Sequence, residues 1–199
     1  EIYSQNEESR PIAQIADKLH PWAAFIFAGS TFPKGYSSET GADMLLTNAA
    51  ADINKPRGSL ESLDDVTAIF KAQPEKTMLN FLKASIKTNK EETEDIKKLH
   101  QAYSDGRFEE LIPLLEETEQ RTLKLVDTKY AKAMSDWLKN DLLIRRNLAW
   151  LPEIRKQSAK QSTLFAVGIA HLPSEKGLIE LLRQEGYQVT PEPKVLIWQ

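Results

Sequence analysis

A histidine just after an apolar run is the residue of this chain whose type and position best suit chemistry. The run Thr163–Val167 stops at Gly168, and His171 follows three residues later. Leucines at helical spacing then lead from Pro173 to Gly186. This pattern predicts a strand, a tight turn that carries the histidine, and a helix, and ligands bind beyond the carboxyl ends of strands in open α/β sheets. A neutral imidazole at such a place could bind a metal or act as a general base.

One histidine alone does not make a metal site, because catalytic zinc sites use about three protein ligands and an open position. The chain has only two other histidines: His20 precedes a proline in an apolar stretch, and His100 lies in a charged stretch. Both positions are more typical of structural or solvated side chains, so carboxylates would have to complete the set. A lone G-x-x-H is also common in turns where the histidine only satisfies backbone groups, so both readings of His171 stay open.

Three further residues could take part in chemistry with the histidine. Glu61 ends the short extended stretch KPRGSLE, where its carboxylate could meet His171 across neighbouring strand ends. It could equally be an acid that favours a helix N-terminus. Arg146 and Asn147 lie in a helical pattern, and the arginine could hold a carboxylate or phosphate through two parallel hydrogen bonds. The alternative for Arg146 is a buried ion pair that orients its helix.

The composition excludes several classes of function. The chain has 26 Lys and Arg against 29 Asp and Glu, so the net charge of −3 indicates no nucleic-acid partner. The absence of cysteine excludes thiolate metal sites, a cysteine nucleophile and disulfides. The longest apolar run, residues 22–28, falls well short of the roughly 20 residues of a membrane span. There is no G-x-S-x-G, Walker loop, G-x-G-x-x-G or H-E-x-x-H.

The pattern along the chain predicts a helix-rich α/β fold in one domain, residues 1–199, with a small, partly parallel sheet. The predicted strands are Lys55–Glu61, Thr163–Val167, Gln188–Thr190 and Val195–Trp198. Residues 91–121 are strongly charged and read as two amphipathic helices broken at Gly106, which could be a charged helical insertion. Pro152 is predicted to mark a joint, because proline continues a helix only at a cost.

Five blocks in order resemble the TraB/PrgY/GumN family, which includes the animal Tiki proteins. The blocks are LHPW (Leu19–Trp22), GAD (Gly41–Asp43), KPRGSLE (Lys55–Glu61), RNLAW (Arg146–Trp150) and VGIAHL (Val167–Leu172). The resemblance implies an α/β arrangement similar to erythromycin-esterase-like and ChaN-like proteins. Family members carry two G-x-x-H motifs with acidic residues near them, and the resemblance maps the second motif onto Gly168 and His171.

The first G-x-x-H of the family would precede the LHPW block, and residues 1–18 do not contain it. The resemblance therefore predicts that the chain is the C-terminal portion of a TraB/GumN-like domain, incomplete at its N-terminus. Missing strands would expose a sheet edge, and such an edge invites pairing with a second copy as a homo-oligomer. Catalysis by this chain alone is then doubtful, and the expected activity belongs to the intact protein.

The Tiki branch is described as metal-dependent proteases that act on Wnt proteins, so the resemblance implies a metal-dependent hydrolase, specifically a peptidase. His171 and Glu61 would bind a divalent metal of unknown identity, with Glu61 as a ligand or a general base. Arg146, beside Asn147, would hold a substrate carboxylate or the developing oxyanion. The partner would be a peptide or protein substrate. The alternative is a non-enzymatic protein that sequesters such a partner. Export signals in bacterial members favour an exported or periplasmic location, with a cytoplasmic one as the alternative.

Overall fold

The computed structural model describes residues 14–29 and 35–191. The chain divides into two compact units, Glu1–Leu138 and Lys139–Gln199. The α-helices of the described residues, α1 to α8 in chain order, are Pro21–Gly29, Ala42–Asp52, Leu63–Lys71, Glu75–Ser104, Leu111–Leu123, Thr128–Asp136, Arg145–Ser158 and Leu178–Gln184. A π-helix, Trp137–Ile144, follows α6 in the chain and runs directly into α7. Short 3₁₀ turns cover Ala16–Lys18, Ser38–Thr40, Phe108–Glu110 and Ile169–His171.

The first unit is built on α4, the longest helix that the structure describes, with 30 residues. Its face toward α1 buries Phe81 completely. Phe81 stacks on Trp137 with ring centroids 5.9 Å apart, while Phe25 and Phe70 meet the Trp137 ring edge-on at 6.0 and 5.2 Å. Offset and edge-on ring pairs add to the stability that area burial gives. This aromatic cluster is the core of the unit.

Local sequence signals determine where the helices of the first unit begin and end. The Ser62 hydroxyl accepts a hydrogen bond from the Asp65 amide at 3.1 Å, and the Asp65 carboxylate accepts one from the Ser62 amide at 3.0 Å. This capping box starts α3. Pro74 precedes α4, and Gly106, with a positive φ of 69°, makes the turn after that helix. The predicted helix break at Gly106 is therefore confirmed, and residues 91–121 cover the second half of α4 and most of α5.

The predicted α/β fold is wrong, because none of the described residues forms a β-strand. Thr163–Val167 is outside any helix but pairs with no neighbouring segment there, and Leu164 is 76% exposed. Lys55–Glu61 and Gln188–Thr190 likewise are not β-strands, while Val195–Trp198 lies outside the described residues. A strand exists only when a second segment accepts its backbone hydrogen bonds, and that condition is not local in sequence. The predicted sheet edge for pairing with a second copy therefore has no counterpart in the described fold.

The predicted joint at Pro152 is also wrong, since α7 continues through this residue. A proline inside a helix removes the hydrogen bond to the carbonyl four residues earlier, here that of Leu148. The Leu148 side chain is 47% exposed, so this turn of the helix faces solvent and water can satisfy its carbonyl. Helix α2 buries none of its residues, and its large apolar side chains Met44, Leu45 and Leu46 are exposed.

Both α-helices that the structure describes in the second unit, α7 and α8, carry buried side chains. Their buried apolar side chains are Trp150, Leu151, Ile154, Leu178 and Leu181. Two polar side chains, Asn147 and His171, are buried with them. Among the described residues, no helix combines the length and the apolar character that crossing a membrane requires.

Candidate functional site

His171 ends a single 3₁₀ turn in the second unit and is only 7% exposed. Its backbone amide donates to the carbonyl of Gly168 at 2.9 Å, which closes the turn. The next carbonyl, that of Leu172, accepts a hydrogen bond from the amide of Ile179 in α8 at 3.2 Å. Backbone hydrogen bonds therefore fix the turn on both sides of the histidine.

Asn147 determines which nitrogen of the imidazole carries the proton. Its side-chain Nδ2 donates to two backbone carbonyls, those of His171 at 3.2 Å and Lys176 at 2.9 Å. Those two acceptors fix the amide orientation, so Oδ1 is the atom that lies 2.7 Å from His171 Nδ1. Because Oδ1 can only accept, Nδ1 must be the protonated nitrogen. In the neutral ring, Nε2 then carries the lone pair.

A guanidinium lies beside the Nε2 atom. Arg146 Nη1 is 3.4 Å from His171 Nε2 and also donates to the carbonyl of Leu142 at 3.1 Å. The same guanidinium sits over the Trp150 ring at 5.0 Å, and that ring is 4.5 Å from the imidazole. The arginine, the tryptophan and the histidine are thus in mutual contact, with the Trp150 and His171 rings tilted by 42° and the guanidinium beside the Nε2 lone pair.

Helix α7 supplies three of the four side chains of the site, namely Arg146, Asn147 and Trp150, and His171 is the fourth. Arg146 and Trp150 are four residues apart and so lie on the same face of the helix, and Asn147 is next to the arginine. The preceding π-helix ends at Ile144, directly before α7. π-Helical turns are rare and recur at functional sites, because they rotate the following side chains relative to an unbroken α-helix.

The structure brings together three of the four residues that the sequence singled out. Arg146, Asn147 and His171 lie in the second unit, whereas Glu61 lies in the first, one residue before the helix cap Ser62. The role of Glu61 as a metal ligand or base therefore stays a prediction. His20 is exposed beside Glu75, with 3.9 Å between Nδ1 and Oε1.

The residues that the structure describes do not complete a metal site. A histidine whose other ring nitrogen binds a carbonyl oxygen is the usual arrangement of a metal ligand, so His171 itself fits the role. However, no three His, Asp or Glu side chains gather anywhere in the described ranges 14–29 and 35–191. The positively charged guanidinium of Arg146 also lies beside Nε2, where a metal ion bound by His171 would add a second positive charge. The divalent metal remains a prediction.

Two contributors to the site were missed from the sequence. Trp150 contacts both the Arg146 guanidinium and the His171 imidazole, and its spacing of four from Arg146 was the available signal. Gly177 allows the loop after His171 to close, because a Cβ atom there would lie 1.9 Å from the carbonyl oxygen of Pro173. Its amide donates to the carbonyl of Ser174 at 3.0 Å, which makes this a tight turn directly before α8.

The chain was compared with protein families, curated proteins and solved structures. The model of the TraB/PrgY/gumN family matches residues 4–191 and so covers every block described above. No curated protein and no solved structure matches the chain. The family match spans nearly the whole chain and includes Arg146, Asn147 and His171, so the protein belongs to the TraB/PrgY/gumN family.

Proposed function

We propose that this protein is a hydrolase that acts on peptides, and that His171 activates the attacking water. The observation that carries the proposal is the hydrogen bond from His171 Nδ1 to Asn147 Oδ1, which puts the basic lone pair of the neutral ring on Nε2, beside the Arg146 guanidinium. A general base needs such a fixed orientation and must lie within hydrogen-bond reach of the proton that it removes. Peptides are proposed as substrates because the family of this chain includes the Tiki branch, whose members are described as proteases.

Arg146 would supply the electrostatic part of the reaction. As water attacks a carbonyl, negative charge develops on the carbonyl oxygen, and a preorganised donor stabilises that charge more than it stabilises the substrate. The guanidinium next to Nε2 can also hold a substrate carboxylate. Because it carries a fixed positive charge, Arg146 favours return of the proton from the imidazole to the leaving amine.

The proposed reaction does not require a metal, because the described residues place one metal-ligating side chain, His171, at this site. A divalent ion bound by His171 and Glu61 would supply Lewis-acid polarisation and a more acidic water. Metal content of the purified protein is therefore measured together with its activity. A ratio near one ion per chain that is lost in both His171→Ala and Glu61→Ala would support that ligand set.

The test is hydrolysis of a mixed peptide library, followed by mass spectrometry, with wild-type protein and three variants. We expect His171→Ala to abolish cleavage and Asn147→Ala to lower kcat by about 10- to 100-fold, the usual effect of removing an orienting partner. His20→Ala is the matched control, since this histidine is exposed and distant in sequence. Circular dichroism checks that each variant is folded.

Cleavage that persists in folded His171→Ala protein would overturn the proposal. A wild-type protein that binds peptides of the library but never cleaves them would favour the alternative, a protein that sequesters its partner. The first outcome tests whether His171 is the catalytic base, and the second tests whether the protein cleaves peptides at all. Together they distinguish a hydrolase from a protein that only binds peptides.

A further inference from the structure

An open cleft lies immediately after His171 in the second unit, with a volume of about 550 Å³. The loop Leu172–Lys176 forms one side and α8 forms the other. Its lining combines apolar atoms of Pro173 and Ile179 with the charged side chains of Glu180 and Arg183. Ligand pockets of proteins fall in this range of volume and pair apolar walls with a few polar groups.

The loop that lines the cleft is held in a costly conformation. Ser174 has a φ of +82°, which L-residues other than glycine rarely adopt. Gly177 closes the same loop so tightly that no side chain fits there. Strained backbone persists only where the surroundings enforce it, and it concentrates at ligand sites. The loop is therefore shaped in advance of any ligand.

The cleft is tied to the histidine through one side chain. Asn147 Nδ2 donates both to the carbonyl of His171 and to the carbonyl of Lys176, which belongs to the cleft loop. The hydrogen bond from the Ile179 amide to the Leu172 carbonyl joins the other wall to the same turn. A ligand in the cleft therefore lies against the elements that position the imidazole.

The charges of the cleft indicate which ligand it suits. Glu175 and Glu180 balance Lys176 and Arg183, so neither a polyanion nor a polycation is favoured. Glu180 and Arg183 form a loose ion pair, 3.7 Å apart, with side chains 42% and 50% exposed. Such exposed pairs contribute little to stability and can exchange to a ligand. A peptide is complementary to this lining. Its main-chain donors and acceptors can pair with the charged groups, and an aliphatic side chain can pack on the apolar atoms.

We propose that this cleft, beside the Asn147-anchored His171 turn, binds the peptide substrate and selects an aliphatic side chain. The aliphatic group would lie on Pro173 and Ile179. The Glu180 carboxylate would accept from a peptide amide, and the Arg183 guanidinium would donate to a peptide carbonyl. The inference rests on the proposed function, because it names the substrate feature that the same site reads.

The test measures binding separately from cleavage. Uniformly ¹⁵N-labelled His171→Ala protein is titrated with acetyl-Ala-Leu-Ala-amide and, as a matched probe, with acetyl-Ala-Gly-Ala-amide. We expect the leucine peptide to bind at least tenfold more tightly, since apolar pockets discriminate missing methylenes by about that factor each. The amide shifts should fall in residues 172–184, which include the lining of the cleft.

Two variants that remove a charge at solvent-accessible side chains keep the test independent of folding. Glu180→Gln and Arg183→Gln should each weaken binding of the leucine peptide several-fold. In the active protein they should raise KM and leave kcat within about twofold, because binding that is equal in ground and transition state changes KM alone. Arg107→Gln, an exposed arginine of the first unit, should change neither quantity.

Equal affinity for the two peptides, or shifts confined to residues outside 172–184, would overturn the cleft assignment. If the leucine peptide binds as expected but wild-type protein cleaves nothing, the cleft stands and the hydrolase proposal fails. If cleavage occurs and KM ignores both variants, the hydrolase proposal stands and the cleft assignment fails.

Discussion

The ion pair between Asp95 and Arg121 should carry a measurable part of the stability of the first unit. Arg121 Nη1 in α5 donates to Asp95 Oδ2 in α4 at 2.6 Å, and Thr118 Oγ1 donates to the same oxygen at 3.1 Å. The Asp95 side chain is only 7% exposed, whereas that of Arg121 is 31% exposed. Lys98 Nζ lies 3.4 Å from the other carboxylate oxygen. Arg121→Ala would thus leave a buried carboxylate with weaker partners.

The expected loss is about 2 kcal/mol. Removing one partner of a fully buried ion pair costs about 3–5 kcal/mol, and one hydrogen bond to a charged group contributes about 1.5–3 kcal/mol. Water reaches part of Arg121, and Lys98 and Thr118 remain as partners of Asp95. The expected loss of stability is therefore near the lower end of these two ranges. For a chain of this size it corresponds to a decrease in Tm of about 4–8 °C.

Urea unfolding followed by circular dichroism measures this loss, and a double-mutant cycle with Asp95→Ala isolates the pairwise part. Arg107→Ala is the matched control, because Arg107 also pairs with two carboxylates, those of Asp105 and Glu110, but on the surface. Exposed pairs of this kind contribute about 0–1 kcal/mol. The reasoning is refuted if Arg121→Ala destabilises the protein no more than Arg107→Ala does.

The same pair predicts how the effect depends on pH. Burial raises the pKa of Asp95, but the hydrogen bonds from Arg121 and Thr118 outweigh it and hold the pKa below its ordinary value. A carboxyl with a lowered folded pKa contributes stability above its unfolded pKa and loses it as pH falls through the folded pKa. The difference between wild type and Arg121→Ala should therefore be full at pH 7 and shrink below about pH 4.

Two further changes give expectations of opposite sign. Burial, followed by the nearby charge of Asp95, raises the pKa of Glu92. The ionised form of Glu92 therefore lowers the stability of the fold as pH rises through and above the ordinary glutamate pKa. Glu92→Gln should raise the urea midpoint at pH 7, and it should do so more at pH 8 than at pH 5. An unchanged midpoint at all three values would contradict this. Gly177→Ala should lower stability by more than about 2 kcal/mol, because its Cβ would overlap backbone atoms, whereas Gly168→Ala should cost less than half as much, since its Cβ meets only a His171 ring carbon at 3.7 Å. Thermal unfolding compares the two, and equal losses would show that the tight turn before α8 tolerates a side chain.

Helix boundaries could be predicted from the sequence because their signals are local. The acids at the start of α3 and the glycine after α4 act within one turn of the chain. The β-sheet prediction failed for the opposite reason. Thr163–Val167 has the composition of a strand, but only a partner segment can make it one, and a single run of residues does not reveal its partner.

The sequence predicted only part of the site. Residue type alone indicated Arg146, Asn147 and His171, because each of these side chains has several hydrogen-bonding atoms. The sequence did not show that Asn147 would donate to the carbonyl of Lys176, because a backbone acceptor leaves no mark in residue types. The sequence did not single out Trp150, and only the structure shows its ring against both the Arg146 guanidinium and the His171 imidazole.

The backbone that presents His171 differs from the one that the sequence predicted. A strand end was expected to present His171, but a 3₁₀ turn presents it, and the position is set by a side chain of α7. Asn147 makes three hydrogen bonds to the histidine and its following loop, and none of them requires a sheet. The geometry at Nε2 should therefore depend on the helix and the turn alone. For that reason Asn147, rather than any extended segment, is the residue whose removal should disconnect the imidazole from the cleft.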